Sequence, residues 1–205
     1  MTLFDPRRTA VVLIDLQGAV RTHAAEPHTA DEVIERSARI VEAARSAGSL
    51  VIFVRTSFLP DESDSLASMI IDQKRGAPKR PEGWDQLVEE MQPLPTEPVI
   101  IKRSWNAFHG SNLELELRRH GIETVVMAGI STNFGVEGTA RAAYERSYHL
   151  VFVEDAMATN TAENHAFALR EVFPQLGRVR SVDEVIAAFT DAESTTTQNR
   201  KEYAV

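Results

Sequence analysis

The stretch TVVMAGISTNFGVEGTARAAYER, residues 124–146, decides the fold class. Its first five residues, Thr124–Ala128, read as a strand, apolar from Val125 onward. The small-residue segment Gly129-Ile130-Ser131-Thr132-Asn133-Phe134-Gly135 follows and opens directly into a helix expected over about 133–146. A buried strand that turns at once into a helix is the repeating unit of an α/β sheet. The same rhythm extends in both directions. Ala10–Ile14 and Leu50–Val54 read as buried strands, with a helix over 29–47 between them. That helix has capping-box spacing at Thr29 and Glu32 and a stop at Gly48. Val99–Ile101 is a third strand, followed by a helix over about 112–120 with a second capping-box pair, Ser111 and Glu114, and a stop at Gly121. His149–Val153 is a fifth strand, before a helix over about 162–172. Arg178–Arg180 is a short sixth, and Ser181 with Glu184 caps a last helix to about Phe189. Strands alternating with helices predict a mostly parallel six-stranded sheet with helices on both faces.

Composition narrows the class further. The 205 residues carry 22 basic and 30 acidic side chains, a net charge of −8, and 43% of them are apolar. Those fractions fit a globular chain and exclude a disordered one. We expect a single domain over residues 1–190 and a polar tail over 191–205. The acidic balance argues against nucleic acid and anionic membranes as partners, and no apolar run reaches the 18 or more residues of a membrane span. The opening MTLFDPRR lacks the apolar core of a signal peptide, so a cytoplasmic location is expected. There is no cysteine, which excludes disulfides, thiolate metal sites and a cysteine nucleophile. The six histidines (23, 28, 109, 120, 149 and 165) have no ligand spacing on a helix, so neither a catalytic metal nor a cofactor is expected.

One stretch breaks the rhythm. Six of the nine prolines, with Trp84, fall between Pro60 and Pro98. An irregular connection this long is usually functional or disordered. Residues 60–98 read either as an excursion covering one sheet edge, a candidate lid, or as a solvated insertion.

Ligands of open parallel sheets bind beyond the carboxyl ends of the strands. The first strand presents Asp15 there, the third presents Lys102, and the fourth presents the Gly129–Gly135 turn at a helix start. Each also has a plain reading, as a charge marking the exit from the core or as strand-to-helix punctuation. Together they offer a carboxylate, an amine and backbone amides suited to an oxyanion.

With these residues in view, TAVVLIDLQ (residues 9–17) and the run from Ile100 to Ala156 resemble the isochorismatase-like hydrolases, also called cysteine hydrolases. The resemblance spans roughly residues 7–188. It implies a doubly wound sheet of order 3-2-1-4-5-6, a homodimer or higher oligomer, and an Asp–Lys–Cys triad. Asp15 and Lys102 fall on the first two triad positions, but the cysteine's position is Gly135. The family also has a non-proline cis peptide, here between Ile130 and Ser131, and an oxyanion hole from amides corresponding to Ser131 and Gly135. The Asp-x-His metal motif of nicotinamidases is absent, since Arg55-Thr56-Ser57-Phe58 stands there.

Without a side chain at position 135 the covalent amidase route is closed. Isochorismatases of the phenazine and siderophore pathways share that glycine and hydrolyse a vinyl ether, releasing pyruvate. The resemblance thus implies Asp15 as general acid, with Lys102 orienting it or holding a substrate carboxylate. The two pull in opposite directions, because an adjacent ammonium lowers a carboxyl pKa while a general acid must keep its proton. Trp105, Phe108 and Phe134 are candidate pocket walls, and Arg55 is a candidate anion ligand or a solvated charge. Direct water attack on another small substrate and a non-catalytic metabolite-binding or scaffold protein stand as alternatives.

Overall fold

The computed structural model describes residues 3–22, 25–66, 72 and 80–191. Its strands are β1 (Thr9–Ile14), β2 (Leu50–Thr56), β3 (Val99–Lys102), β4 (Thr124–Ile130), β5 (His149–Ala158) and β6 (Arg178–Arg180). They form one all-parallel sheet of order β3-β2-β1-β4-β5-β6. The helices are α1 (Ala30–Ser46), α2 (Leu113–Arg119), α3 (Glu137–Tyr144), α4 (Ala162–Phe167), α5 (Phe173–Leu176) and α6 (182–191). No described helix is long and apolar enough to cross a membrane.

Because side chains alternate along a strand, each inner strand feeds two cores. Val11, Leu13, Phe53, Val126 and Ala128 pack with Val33, Ile34 and Ile40 of α1 and with Val182 and Phe189 of α6. Val12, Ile14, Val54, Val125 and Met127 pack on the other face with Leu113 and Leu117 of α2, Ala140 of α3 and Phe173 of α5. The sheet is doubly wound, and both faces of its central strands are dry.

Local chemistry explains most boundaries. Thr29 and Glu32 form both reciprocal bonds of the capping box on α1. Ser181 and Glu184 do the same at α6. The Ser111–Glu114 pair does not: Ser111 Oγ accepts from the Leu113 amide, while Glu114 turns to Arg118 and Arg146. Two arginines outbid one backbone amide for that carboxylate. The strand at His149 runs beyond Val153 to Ala158, because Val153–Ala156 bulges and the chain then rejoins β4, Met157 opposite Gly129. The helix after β4 begins not at Asn133 but with a π-helical turn, Thr132–Val136, before α3.

Part of the Pro60–Pro98 excursion is docked, while many of its other described residues are exposed. Residues 84–88 run along 16–19, with Gly18 N donating to Gln86 O and Val88 N to Leu16 O. Val88 and Met91 are buried in the α1-side core. A β-carbon on Gly18 would stand 2.8 Å from Gly83 O, so glycine permits this approach. Most of the remainder, residues 67–71 and 73–79, lies outside the described residues.

Candidate active site

Four strand ends, those of β1 to β4, meet beside one cavity of about 470 Å³. Position 14 of β1 lies opposite Gly129 of β4, and Thr56 of β2 lies opposite Lys102 of β3. A β-carbon on Gly129 would stand 2.2 Å from Ile14 O, and its φ is +121°. Only glycine lets β4 approach β1 this closely at the mouth of the site.

Asp15 follows directly on Ile14 and adopts φ +54°, unusual for a residue with a side chain. Its amide donates to Val54 O and its carbonyl accepts from Gln17 N, both at 2.9 Å, which pins the turn. Lys102 is 2% exposed. Its ammonium donates to Asp15 Oδ2 at 2.7 Å, Thr56 Oγ1 at 2.8 Å and Ser104 O at 3.1 Å. Three donors thus meet three acceptors. Thr56 Oγ1 in turn donates to Asp15 Oδ1 at 3.2 Å. Thr56 is itself held by Gln17, whose Oε1 accepts from the Thr56 amide and whose Nε2 donates to Thr56 O and Trp84 O.

Desolvation by burial pushes the Asp15 carboxyl above its ordinary range, against Lys102 and Thr56, which pull it down. The side chain keeps 18% exposure, and Asp15 lines the cavity. Burial therefore outweighs the lysine, and the net shift of the Asp15 carboxyl is upward.

Across the cavity, the turn after β4 carries a cis peptide between Ile130 and Ser131. Ser131, Phe134 and Gly135 all line the cavity. Gly135 has no positive φ, so its backbone does not demand glycine. A β-carbon there would stand 3.3 Å from Asp15 Oδ2 and 3.0 Å from Ile14 Cγ2. Position 135 thus aims at the carboxylate, and glycine avoids crowding Ile14 and Asp15 there. The turn is anchored from behind. Thr132 hydroxyl and His165 Nδ1 are 2.9 Å apart, both buried, and Thr139 Oγ1 bridges Gly135 O and the Ala107 amide.

Trp105 and Phe134 meet at 4.9 Å between ring centroids and line the cavity. Phe108 and Arg55 are not among its lining residues. Phe108 is buried, stacked on Tyr148 with the Arg146 guanidinium over its ring, because the turn after β3 sends residues 105 and 108 to opposite sides. Arg55 lies within β2, one residue out of phase with Thr56, so its side chain leaves by the other face. There it pairs with Asp85 at 2.8 Å, and Ser57 joins them. Thr56, Phe58, Glu62 and Arg80 do line the cavity. Thr56 is detectable in the sequence only by its register with Lys102, and Arg80 lies in the stretch without periodicity. Among the described residues, no three His, Cys, Asp or Glu side chains converge as a metal site would require.

Comparison with known proteins supports the same fold. A family model described as an isochorismatase domain matches residues 9–184. The isochorismatase family protein YecD of Escherichia coli O157:H7 is 41% identical over 188 residues, covering 92% of this chain and all of the relative. The ureidoacrylate amidohydrolase RutB of Methylorubrum extorquens is 31% identical, covering 93% of this chain and 86% of that one. A solved isochorismatase family protein from Burkholderia thailandensis superposes with a TM-score of 0.87 at 36% identity, covering 93% and 99% of the two chains. The domain match takes in all four strand ends that build the cavity, and by it the chain belongs to the isochorismatase family of hydrolases.

Proposed function

We propose that the chain is a hydrolase without a covalent nucleophile, acting on a small vinyl ether such as isochorismate, with Asp15 as general acid. The observation that carries this is the pairing of Asp15 with Gly135. A carboxyl whose pKa burial raises faces position 135, where the family resemblance implies a nucleophile and this chain has glycine. The chemistry then follows from what remains. Asp15 protonates the terminal enol carbon, leaving an oxocarbenium ion. Water adds to the cationic carbon and returns a proton to Asp15, and the hemiketal collapses to pyruvate and an alcohol. Lys102, its donors all taken, holds the Asp15 carboxyl in place rather than binding substrate. Ser131 and Gly135 line the same cavity, and their backbone is the candidate to hold the oxygen of the adding water and of the hemiketal.

The likeness to a ureidoacrylate amidohydrolase supports a second reading, attack of water on a ureido or amide carbon with Asp15 as base. That role needs the ionised carboxylate, which burial opposes. Pyruvate release from isochorismate, measured for wild type and Asp15→Asn, separates them. The general-acid reading expects release that Asp15→Asn abolishes. Release at equal rates in both refutes Asp15 as the acid. No release, with hydrolysis of ureidoacrylate instead, selects the second reading.

A further inference from the structure

Five charged side chains line the cavity: Lys102, Arg80 and Arg103 against Asp15 and Glu62. Three cations thus face two carboxylates in a chain of net charge −8. Lys102 has no donor to spare. Arg103 is paired with Asp64 and half-exposed at the rim. Arg80 differs from both. Its side chain is 18% exposed, with the guanidinium 4.5 Å from the ring centre of Phe58 and 4.6 Å from that of Trp84. The two rings are themselves stacked at 5.9 Å. Two aromatic faces fix the plane of the fork before any ligand arrives.

Glu62 meets Nη1 of this fork at 2.5 Å, yet its own side chain is 46% exposed. It comes from a turn where Glu62 N donates to Leu59 O and its own carbonyl accepts from Ser65 N. A carboxylate already seated on the guanidinium marks where one fits, and its exposure lets it swing into water. We infer that Arg80 is the receptor for an anionic group of the substrate, a small ring or enol carboxylate that displaces Glu62 from the guanidinium. The inference rests on this cavity being the site of reaction. It adds a specificity residue to it and places the carboxylate beneath Phe58 and Trp84, with the reacting atoms toward Asp15.

The test uses benzoate and its neutral isostere benzamide as probes, read by fluorescence of the chain's two tryptophans, Trp84 and Trp105. Charged hydrogen bonds of about 1.5–3 kcal/mol predict that Arg80→Gln weakens benzoate about tenfold or more and leaves benzamide nearly unchanged. Glu62→Gln removes the competing carboxylate and should tighten benzoate about threefold, a gain that a misfolded or merely structural variant does not give. Equal effects on both probes, no benzoate binding to wild type, or no tightening in Glu62→Gln would each overturn the inference. With isochorismate, Arg80→Gln should raise KM with little change in kcat. Turnover that survives Asp15→Asn sinks the general-acid reading and leaves the probe result standing. Benzoate bound equally by wild type and Arg80→Gln, with turnover lost in Asp15→Asn, sinks only the receptor.

Discussion

Replacing Thr56 with valine tests the proposed role of the site at the point where its parts are coupled. The substitution keeps shape and removes one hydroxyl, which accepts from Lys102 at 2.8 Å and donates to Asp15 at 3.2 Å. Lys102 is buried, so the donor left behind has no water to turn to. An unsatisfied buried donor costs about 1–3 kcal/mol, more where it is charged, so a loss of about 2–3 kcal/mol is expected. At about 2 kcal/mol per molar urea, the unfolding midpoint should fall by roughly 1 M, read by circular dichroism. The same hydroxyl lowers the Asp15 pKa, and its removal leaves burial less opposed. A general acid works in its protonated form, so activity declines as pH rises through that pKa. In Thr56→Val the alkaline limb of kcat/KM should move to higher pH. A limb that stays put or moves to lower pH would refute the coupling, and an unchanged urea midpoint would refute the burial argument.

Gly129→Ala should cost more than about 3 kcal/mol, since a β-carbon 2.2 Å from Ile14 O must part β4 from β1 and φ +121° adds strain. A thermal midpoint within a few degrees of wild type would contradict this. Burial holds the His165 imidazole down at about 4, below its ordinary 6.5. A depressed folded pKa gives stability that is whole above the unfolded value and lost as pH falls through the folded one. Wild type should therefore lose about 3 kcal/mol more than His165→Gln between pH 7 and pH 4, read from urea midpoints at both. Parallel losses would assign the acid sensitivity elsewhere. Gly135→Ala should fold, needing only a small shift of Ile14, yet lose about tenfold or more in rate because the methyl enters the space before Asp15. Gly135→Cys, assayed on nicotinamide and carbamoyl compounds, should acquire amidase activity if the turn still aims its side chain at Asp15.

The parts of this fold legible in the sequence are those where burial is total. β1, β2 and β4 are dry on both faces, so each reads as an unbroken apolar run, and Asp15 and Lys102 announce themselves as charges directly past such runs. Periodicity fails where tertiary contacts decide direction. Arg55 looks like the residue past β2 because Val54 ends the apolar run, but the ladder to β3 carries the strand through Thr56 and reverses which side chain enters the site. Phe108 and Trp105 share one turn and differ only in which way that turn faces. Arg80 has no periodic signal, because what places it is Phe58, far back in the sequence, together with Trp84, set by the docking of 84–88 along β1's exit.

Gly135 carries the decisive argument about chemistry, and it does so by what its backbone does not require. Gly129 is glycine because a β-carbon there would strike Ile14; Gly135 has ordinary φ and room for a side chain at the cost of a small displacement. Helix starts accommodate other residues at least as well as glycine, so local conformation gives no reason for glycine there. What glycine supplies is volume in front of Asp15 Oδ2. A buried ion pair is a poor device for stability alone, and an apolar pair would serve as well or better. Here the pair comes with a positive-φ aspartate, a lysine whose three acceptors are all provided, and a carboxyl that burial pushes toward its protonated form. Strain and desolvation converge on one carboxyl beside the cavity. The general-acid reading proposed above gives both a use, whereas a scaffold has no need of a desolvated carboxyl at a cavity wall.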